Sequence, residues 1–398
     1  MLVILALATL LSAAEPPRAQ VTALTEIQGA FQGLARDGAG FAFLVGDRRV
    51  PAQEVVRAVL APPAADPAPR PATVAVFPDR SELAGDIKDA AEERLTIANP
   101  VLGDIRVSLD GLLALVFPRA FPTLAAGEEF RVQVRTPPAA DTLYTTEGAG
   151  VEGIVQSMSL DAITVQSAGL GTTTFPIAKI RGLALAQIDA YHPPAALRIG
   201  AVLRDGSTLW GMPAGGDAST LKIEAASGAF EIPFAAVAEI LVAGGRWTML
   251  ADLAPSAVEE RSYLGDKVWP FRRDANVMGG LLKARGVRHH RGLGVHSHSK
   301  LTYRLDGKYA RFEALAAVDD CAIDENLDTR FGNVVFKVAV DGQERFTSGE
   351  VSWNDAPLPV SVDTAGAAEL VLEVDWGAGF HVRDRADWLE ARLLAAPK

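Results

Sequence analysis

The sequence predicts an all-β protein: a series of small repeated β units followed by a larger antiparallel β-sandwich. Three observations predict it. The 398 residues include 36 glycines and 24 prolines, a turn-rich composition, and no long stretch keeps helical periodicity. Short segments alternate apolar and polar positions, as in "AITVQS" and "TLKIEA". Asp-Gly turns punctuate the C-terminal strands at Asp306-Gly307 and Asp341-Gly342. With 49% hydrophobic and 22% charged residues the chain reads as globular rather than disordered. Its formal net charge of −11 argues against nucleic acid or an anionic membrane as the main partner.

Residues 1–14 read as a signal peptide. Leu2 to Leu11 is an apolar run too short to span a bilayer, and Ser12-Ala13-Ala14 supplies the small residues of a cleavage site before Glu15. No later stretch is long and apolar enough to span a membrane. The expected location is therefore exported: periplasmic, cell-surface or secreted. One cysteine, Cys321, excludes an internal disulfide and any Cys-based metal site. Asp319 and Asp320 beside it oppose thiolate formation.

Four versions of one meander follow, at 21–61, 73–118, 143–187 and 198–245. The last two are the clearest: Phe175-Pro176-Ile177-Ala178 matches Ile232-Pro233-Phe234-Ala235, and Gly153 matches Gly211. In the first, Gly33 stands for the glycine and Val50-Pro51-Ala52 for the proline step. In the second, Gly85 is the glycine and Ser108 replaces the proline. Each unit reads as four or five short strands joined by Gly/Asp turns. Pro62–Pro71, Ala120–Ala140 and Tyr191–Ala196 read as linkers. The unit resembles a small SH3-like or Sm-like barrel. Being acidic and aromatic-poor, the units are expected to act as spacers or as contact modules for other exported proteins, not as RNA binders.

After about Ala251 the composition shifts, with five of the six histidines beyond it. Val334, Phe336, Val338 and Val340 share one strand face, as do Leu370, Leu372 and Val374. These strands predict an antiparallel β-sandwich over 253–396. The succession "GLGVHSHSKLTYRLDGKYARFEALAAVDD", "GNVVFKVAVDGQERFTSGEV", "AAELVLEVDWG" and "RADWLEARL" resembles the NPCBM family (novel putative carbohydrate-binding module) from about Arg261 to Leu394. The resemblance implies a galactose-binding-like jelly roll that recognises galactose-type sugars. The chain departs from the family pattern at Ser297-His298-Ser299 and at Phe380–Arg385.

Sugar binding in water calls for aromatic platforms and for charged or amide groups that meet hydroxyls. Trp353, Trp376, Phe380 and Trp388 are candidate platforms, with Trp388 the one expected in the core. His381, Arg383, Asp387 and Asn354 are candidate polar partners. On a straight strand Val295, Ser297, Ser299, Leu301 and Tyr303 would share one face, with His296, His298, Lys300 and Arg304 on the other. The two basic residues oppose a metal there. His296 matches the family's histidine and is read as a structural or sugar-contacting residue. Asp387 and Glu390 are alternative oxygen ligands for a structural Ca²⁺. No Gly-x-Ser-x-Gly elbow, P-loop or His-Glu-x-x-His occurs, so no enzyme is expected. The leading expectation is an exported, non-catalytic binder of galactose-type glycans. Its rival is a structural or protein-interaction protein that uses the same sandwich without sugar affinity.

Overall fold

A computed structural model describes residues 18–23, 26–38, 40–60, 70–91, 94–187, 191, 194, 196–265, 267–323 and 332–396. The expected signal peptide and most of Pro62–Pro71 lie outside the described residues. The fold is almost entirely β, as the composition and alternation predict.

Four segments carry one succession: a short strand, a long strand, two strands forming a hairpin, a 3-10 turn and a fifth strand. In the first these are Arg18–Thr22, Glu26–Asp37, Gly40–Val45, Arg48–Pro51, Ala52–Glu54 and Arg57–Val59. The other three begin at Thr73, Asp141 and Arg198 and end at Val116, Ala184 and Ala243. In each, hydrogen bonding sets the order fifth, first, second, third, fourth. The alternating third strands point one face inward, burying Leu95 with Ile97, Ile163 with Val165, and Leu221 with Ile223. The recurring prolines close the fourth strand. Pro51, Pro176 and Pro233 precede the 3-10 turn at φ −54°, −61° and −61°, close to the value the pyrrolidine ring imposes. Ser108 takes that place in the second unit at φ −85°.

The recurring glycine has a steric reason. At Gly85, Gly153 and Gly211 an added Cβ would lie 2.5, 2.3 and 2.6 Å from a carbonyl oxygen of the third strand, which the second strand crosses closely there. In the first unit the matching position is Gly29, paired with Ala19 of the opening strand. Gly33, the residue read from sequence, instead approaches Asp217 of the fourth unit at φ +113°. Gly153→Ala is expected to cost about 1–3 kcal/mol in urea unfolding, because backbone must move to admit the methyl group. Gly169→Ala, which meets open space, is the control and should change stability little.

The units do not line up as a stalk. The first and fourth share one core that includes Phe31, Phe43, Ile199, Leu221 and Phe234. The second and third share another, with Leu95, Leu115, Ile163 and Leu183. Fifth strands pair within each couple, Ala58 with Ile240 and Leu115 with Leu183. A buried polar cluster joins the couples: Asn99 Nδ2 donates to the Ala84 carbonyl (2.8 Å) and to Asp205 (2.5 Å), and Ala84 N donates to Ser207 Oγ (3.0 Å). The Ala120–Ala140 stretch, expected as a linker, contains the α-helix Leu124–Gln133, capped by Thr123 Oγ1. Its Phe130 packs on Phe121 and Tyr144 over Gly182, where a Cβ would lie 2.4 Å from the ring.

The C-terminal region is a two-sheet sandwich. One sheet runs Arg272–Arg273, Gly292–His296, Arg385–Ala395, Tyr309–Val318, Leu358–Asp363. The other runs Ala257–Glu260, Ser299–Arg304, Glu369–Trp376, Asn333–Val340, Gln343–Ser352. Val334, Phe336, Val338, Leu370, Leu372 and Trp388 fill the core between them. Strand Trp247–Met249 also pairs with Arg385–Ala395, so a boundary at Leu253 would cut a strand from this sheet. The junction with the first unit is dry and charged at once. Val56, Trp247 and Leu394 pack together, and Trp247 Nε1 donates to the Glu54 carbonyl at 2.9 Å. Beside them Arg57 Nη1 lies 2.6 Å from Glu390.

Candidate functional site

The expectation of one straight strand through both histidines fails at Ser297. Gly292–His296 belongs to one sheet and Ser299–Arg304 to the other, so the chain crosses between layers at the end of the sandwich. His296 is buried and stacked on Trp269, with ring centroids 4.3 Å apart and planes at 13°. Its Nδ1 lies 2.8 Å from the Ser297 carbonyl, and burial holds its pKa down to about 4, so the ring is neutral at pH 7. Trp269 therefore covers one face of its ring.

Strand Glu369–Trp376 ends beside this crossing, and the loop after it folds back on a Gly377–Phe380 bridge. That brings a group of rings together. Tyr263 meets Trp376 edge-on (5.3 Å), meets Phe380 (5.7 Å) and stacks on His381 (5.4 Å, 12°). His298 packs on Trp376 at 5.4 Å. Phe380 is 59% exposed, at φ +65°. Three enclosed nitrogens here, Trp376 Nε1, His381 Nδ1 and His298 Nδ1, have no hydrogen-bond partner among the described residues. The exposed Phe380 ring beside them suits a polyol that offers an apolar face. Beneath it, Ser297 Oγ donates to Asp384, whose carboxyl also accepts from Asn333 N (3.2 Å) and is pushed up to about 7 by burial.

Of the residues read from sequence, the structure gathers Trp376, Phe380 and His381 around Tyr263, while His296 stacks on Trp269. Arg383 follows on the same loop, where its Nη1 donates to the Ala322 carbonyl at 3.0 Å. Trp353 takes part in none of these ring contacts. It lines a separate hollow of about 470 Å³ with Arg285, Asp320 and Ile323. Asp387 is fully buried and cannot touch a glycan. The Ca²⁺ reading of Asp387 and Glu390 does not hold either, because Glu390 gives its oxygens to Arg57, His289 and Arg392. Trp388 is in the core, 1% exposed, against Phe336. Sequence reading missed Tyr263 and Trp269. Both lie in "RSYLGDKVWPF", which has Gly and Pro but no strand alternation, the one local hint that its aromatics serve a surface. Among the described residues, His298, Glu373 and Asp375 converge as a metal site might, but Lys337 Nζ already sits 3.3 and 2.7 Å from the two carboxylates.

An antiparallel sandwich with a ring cluster at its strand ends has the build of a ligand-binding module. The NPCBM/NEW2 domain family model matches residues 248–394 of the chain, and this supports a carbohydrate-binding role for that region. A curated relative, "Putative endo-alpha-N-acetylgalactosaminidase" of Renibacterium salmoninarum, is 28% identical over 115 residues. That stretch is 29% of this chain and spans only 7% of the relative. Among solved structures, a CBM51 module from Clostridium perfringens GH95 in complex with methyl-galactose is 25% identical, covering 37% of this chain and 99% of that one, with TM-score 0.33. The tandem CBM51 modules of the family 98 glycoside hydrolase from Streptococcus pneumoniae SP3-BS71 are 16% identical, covering 64% and 88%, with TM-score 0.33. Among the described residues no helix is long and apolar enough to cross a membrane.

Proposed function

We propose that this is an exported, non-catalytic protein that binds galactose-type glycans at the ring cluster on the end of its sandwich. The carrying observation is the Tyr263–Trp376–Phe380–His381 group, with its unpartnered nitrogens and an outward-facing Phe380. The sugar's apolar face stacks on Trp376 or Phe380, and its hydroxyls meet the outer edge of the His381 imidazole. The family match supports a carbohydrate ligand, and the relative's name favours one of galactose type. In this reading the four N-terminal units present the module and offer surface to other exported proteins.

Calorimetry on the whole chain tests it, with methyl-galactoside, N-acetylgalactosamine and galactose oligosaccharides as ligands. Affinity for a monosaccharide should be weak, about millimolar to high micromolar, given roughly 1–3 kcal/mol for each stacked ring or charge-assisted hydrogen bond. Trp376→Ala should weaken binding at least about tenfold. Phe380→Ala should weaken it while keeping the melting temperature, because the ring is mostly exposed. No heat from any of these sugars at tens of millimolar would leave the protein-interaction reading in its place.

A further inference from the structure

A cleft of about 1040 Å³ lies between the N-terminal units and the sandwich, away from the ring cluster. Six arginines line it, Arg80, Arg135, Arg272, Arg273, Arg288 and Arg291, against three carboxylates, Glu82, Glu129 and Asp274. This local excess of positive charge stands in a chain of net charge −11. The carboxylates are already shared. Glu82 accepts from both Arg131 and Arg135, the latter at 2.8 Å. Asp274 lies 3.0 Å from Arg80 and 3.0 Å from Arg291, and Asp252 binds the same two arginines.

Arg288 is left over. Among the described residues it has no ion pair, and its enclosed Nε finds no hydrogen-bond acceptor. Burial first, with the neighbouring Arg131 and Arg135, outweighs the pull of Glu82 and Glu128 and pushes its pKa down to about 10. A guanidinium held among other guanidiniums with no carboxylate in direct contact destabilises the unliganded protein. An oxyanion that accepts from it would remove that cost, and Arg is the side chain whose planar fork matches a carboxylate or sulfate. The cleft is far larger than one small anion needs, and Phe271 and Trp210 add apolar wall to it.

We propose that this cleft is a second binding site, for a saccharide carrying a carboxylate or sulfate group that Arg288 grips, with Arg135 and Arg272 beside it. This reading does not depend on galactose recognition at the sandwich end.

The test is calorimetry on the full chain at low ionic strength, where charge–charge contacts are least screened. The probes are a galacturonate tetrasaccharide, a sulfated galactose tetrasaccharide, its unsulfated counterpart and inorganic sulfate. Wild type should bind at least one acidic tetrasaccharide and bind the neutral one at least about tenfold more weakly. Arg288→Gln should lose binding at least about tenfold, while its unliganded melting temperature stays equal or rises, because an enclosed cation with no direct ion pair has gone. Arg272→Gln, at the open rim, should lose only a few-fold. Trp376→Ala should leave acidic-saccharide affinity unchanged, which separates this site from the ring cluster. The proposal is overturned if neither acidic saccharide binds at about 10 mM, or if Arg288→Gln binds as wild type does. Inorganic sulfate binding as tightly as the tetrasaccharides overturns the saccharide assignment.

Discussion

Glu390→Ala is expected to destabilise the protein by about 3–5 kcal/mol at pH 7, the range for removing one partner of a buried ion pair. Glu390 is buried where the sandwich meets the first unit. Its Oε1 lies 2.6 Å from Arg57 Nη1 and 2.9 Å from His289 Nδ1, and its Oε2 is 3.5 Å from Arg392. The His289 hydrogen bond and the two arginines outweigh burial and hold its pKa down to about 2. Without the carboxylate, Arg57 keeps Glu239 at 3.4 Å, but Arg392 and His289 lose an interior partner. The pH dependence follows from the depressed value. In the folded protein the carboxylate persists to about pH 2, whereas unfolded it protonates near the ordinary glutamate value of 4.5. Its stabilisation is therefore complete above that value and is lost as pH falls toward 2. The gap between wild type and variant in urea unfolding should shrink over that interval. A loss below about 1 kcal/mol at pH 7 would mean that the junction does not hold these charges out of water.

Asp387→Asn should do the opposite and stabilise the protein at neutral pH, on the order of 1–3 kcal/mol. Asp387 is fully buried, and among the described residues neither of its oxygens finds a donor. Its neighbour is Asp319, whose carboxylate already accepts from Asn276 Nδ2 (3.0 Å), Cys321 N (2.8 Å) and Lys283 N (2.8 Å). Burial first, and the adjacent carboxylate second, raise the Asp387 pKa well above its ordinary value. The same surroundings push the Cys321 thiol up. A raised carboxyl pKa contributes stability that is present in acid and is lost as pH climbs above the unfolded value of 3.8. An asparagine amide is neutral at every pH and can donate to Asp319. The variant's advantage in thermal unfolding should grow from pH 4 toward neutrality. Equal melting curves at both ends would show that Asp387 ionises freely in the fold.

The candidate site was legible only in part. The loop carrying Trp376, Phe380 and His381 stood out because it interrupts strand alternation, and the structure gathers those rings. Tyr263 was not found, because it comes from a segment more than a hundred residues earlier, and Trp269, from the same segment, stacks on His296 instead. Proximity across the end of a sandwich leaves no local mark. Asp387 shows the converse. On Arg385–Ala395, residues Ala386, Trp388, Ala391 and Leu393 face the sandwich core. Asp387, Leu389 and Leu394 face the other way, the side a polar reading would give to solvent. Here Leu282 and Ala284 cover Leu389, Val56 and Trp247 cover Leu394, and the whole stretch from Ala386 to Leu394 is buried.

What the sequence determined by itself is the all-β class, the recurrence of one meander and the inward faces of its strands. These rest on period-2 alternation, proline-fixed φ and turn chemistry, all properties of a few adjacent residues. The tertiary structure alone decided that the first unit pairs with the fourth and the second with the third. It also decided that Gly29 rather than Gly33 sits at the strand crossing, and that Arg288 makes no ion pair among the described residues. Each of these depends on which distant segment covers a given face, and that is set by long-range strand pairing and shared burial rather than by any window of sequence.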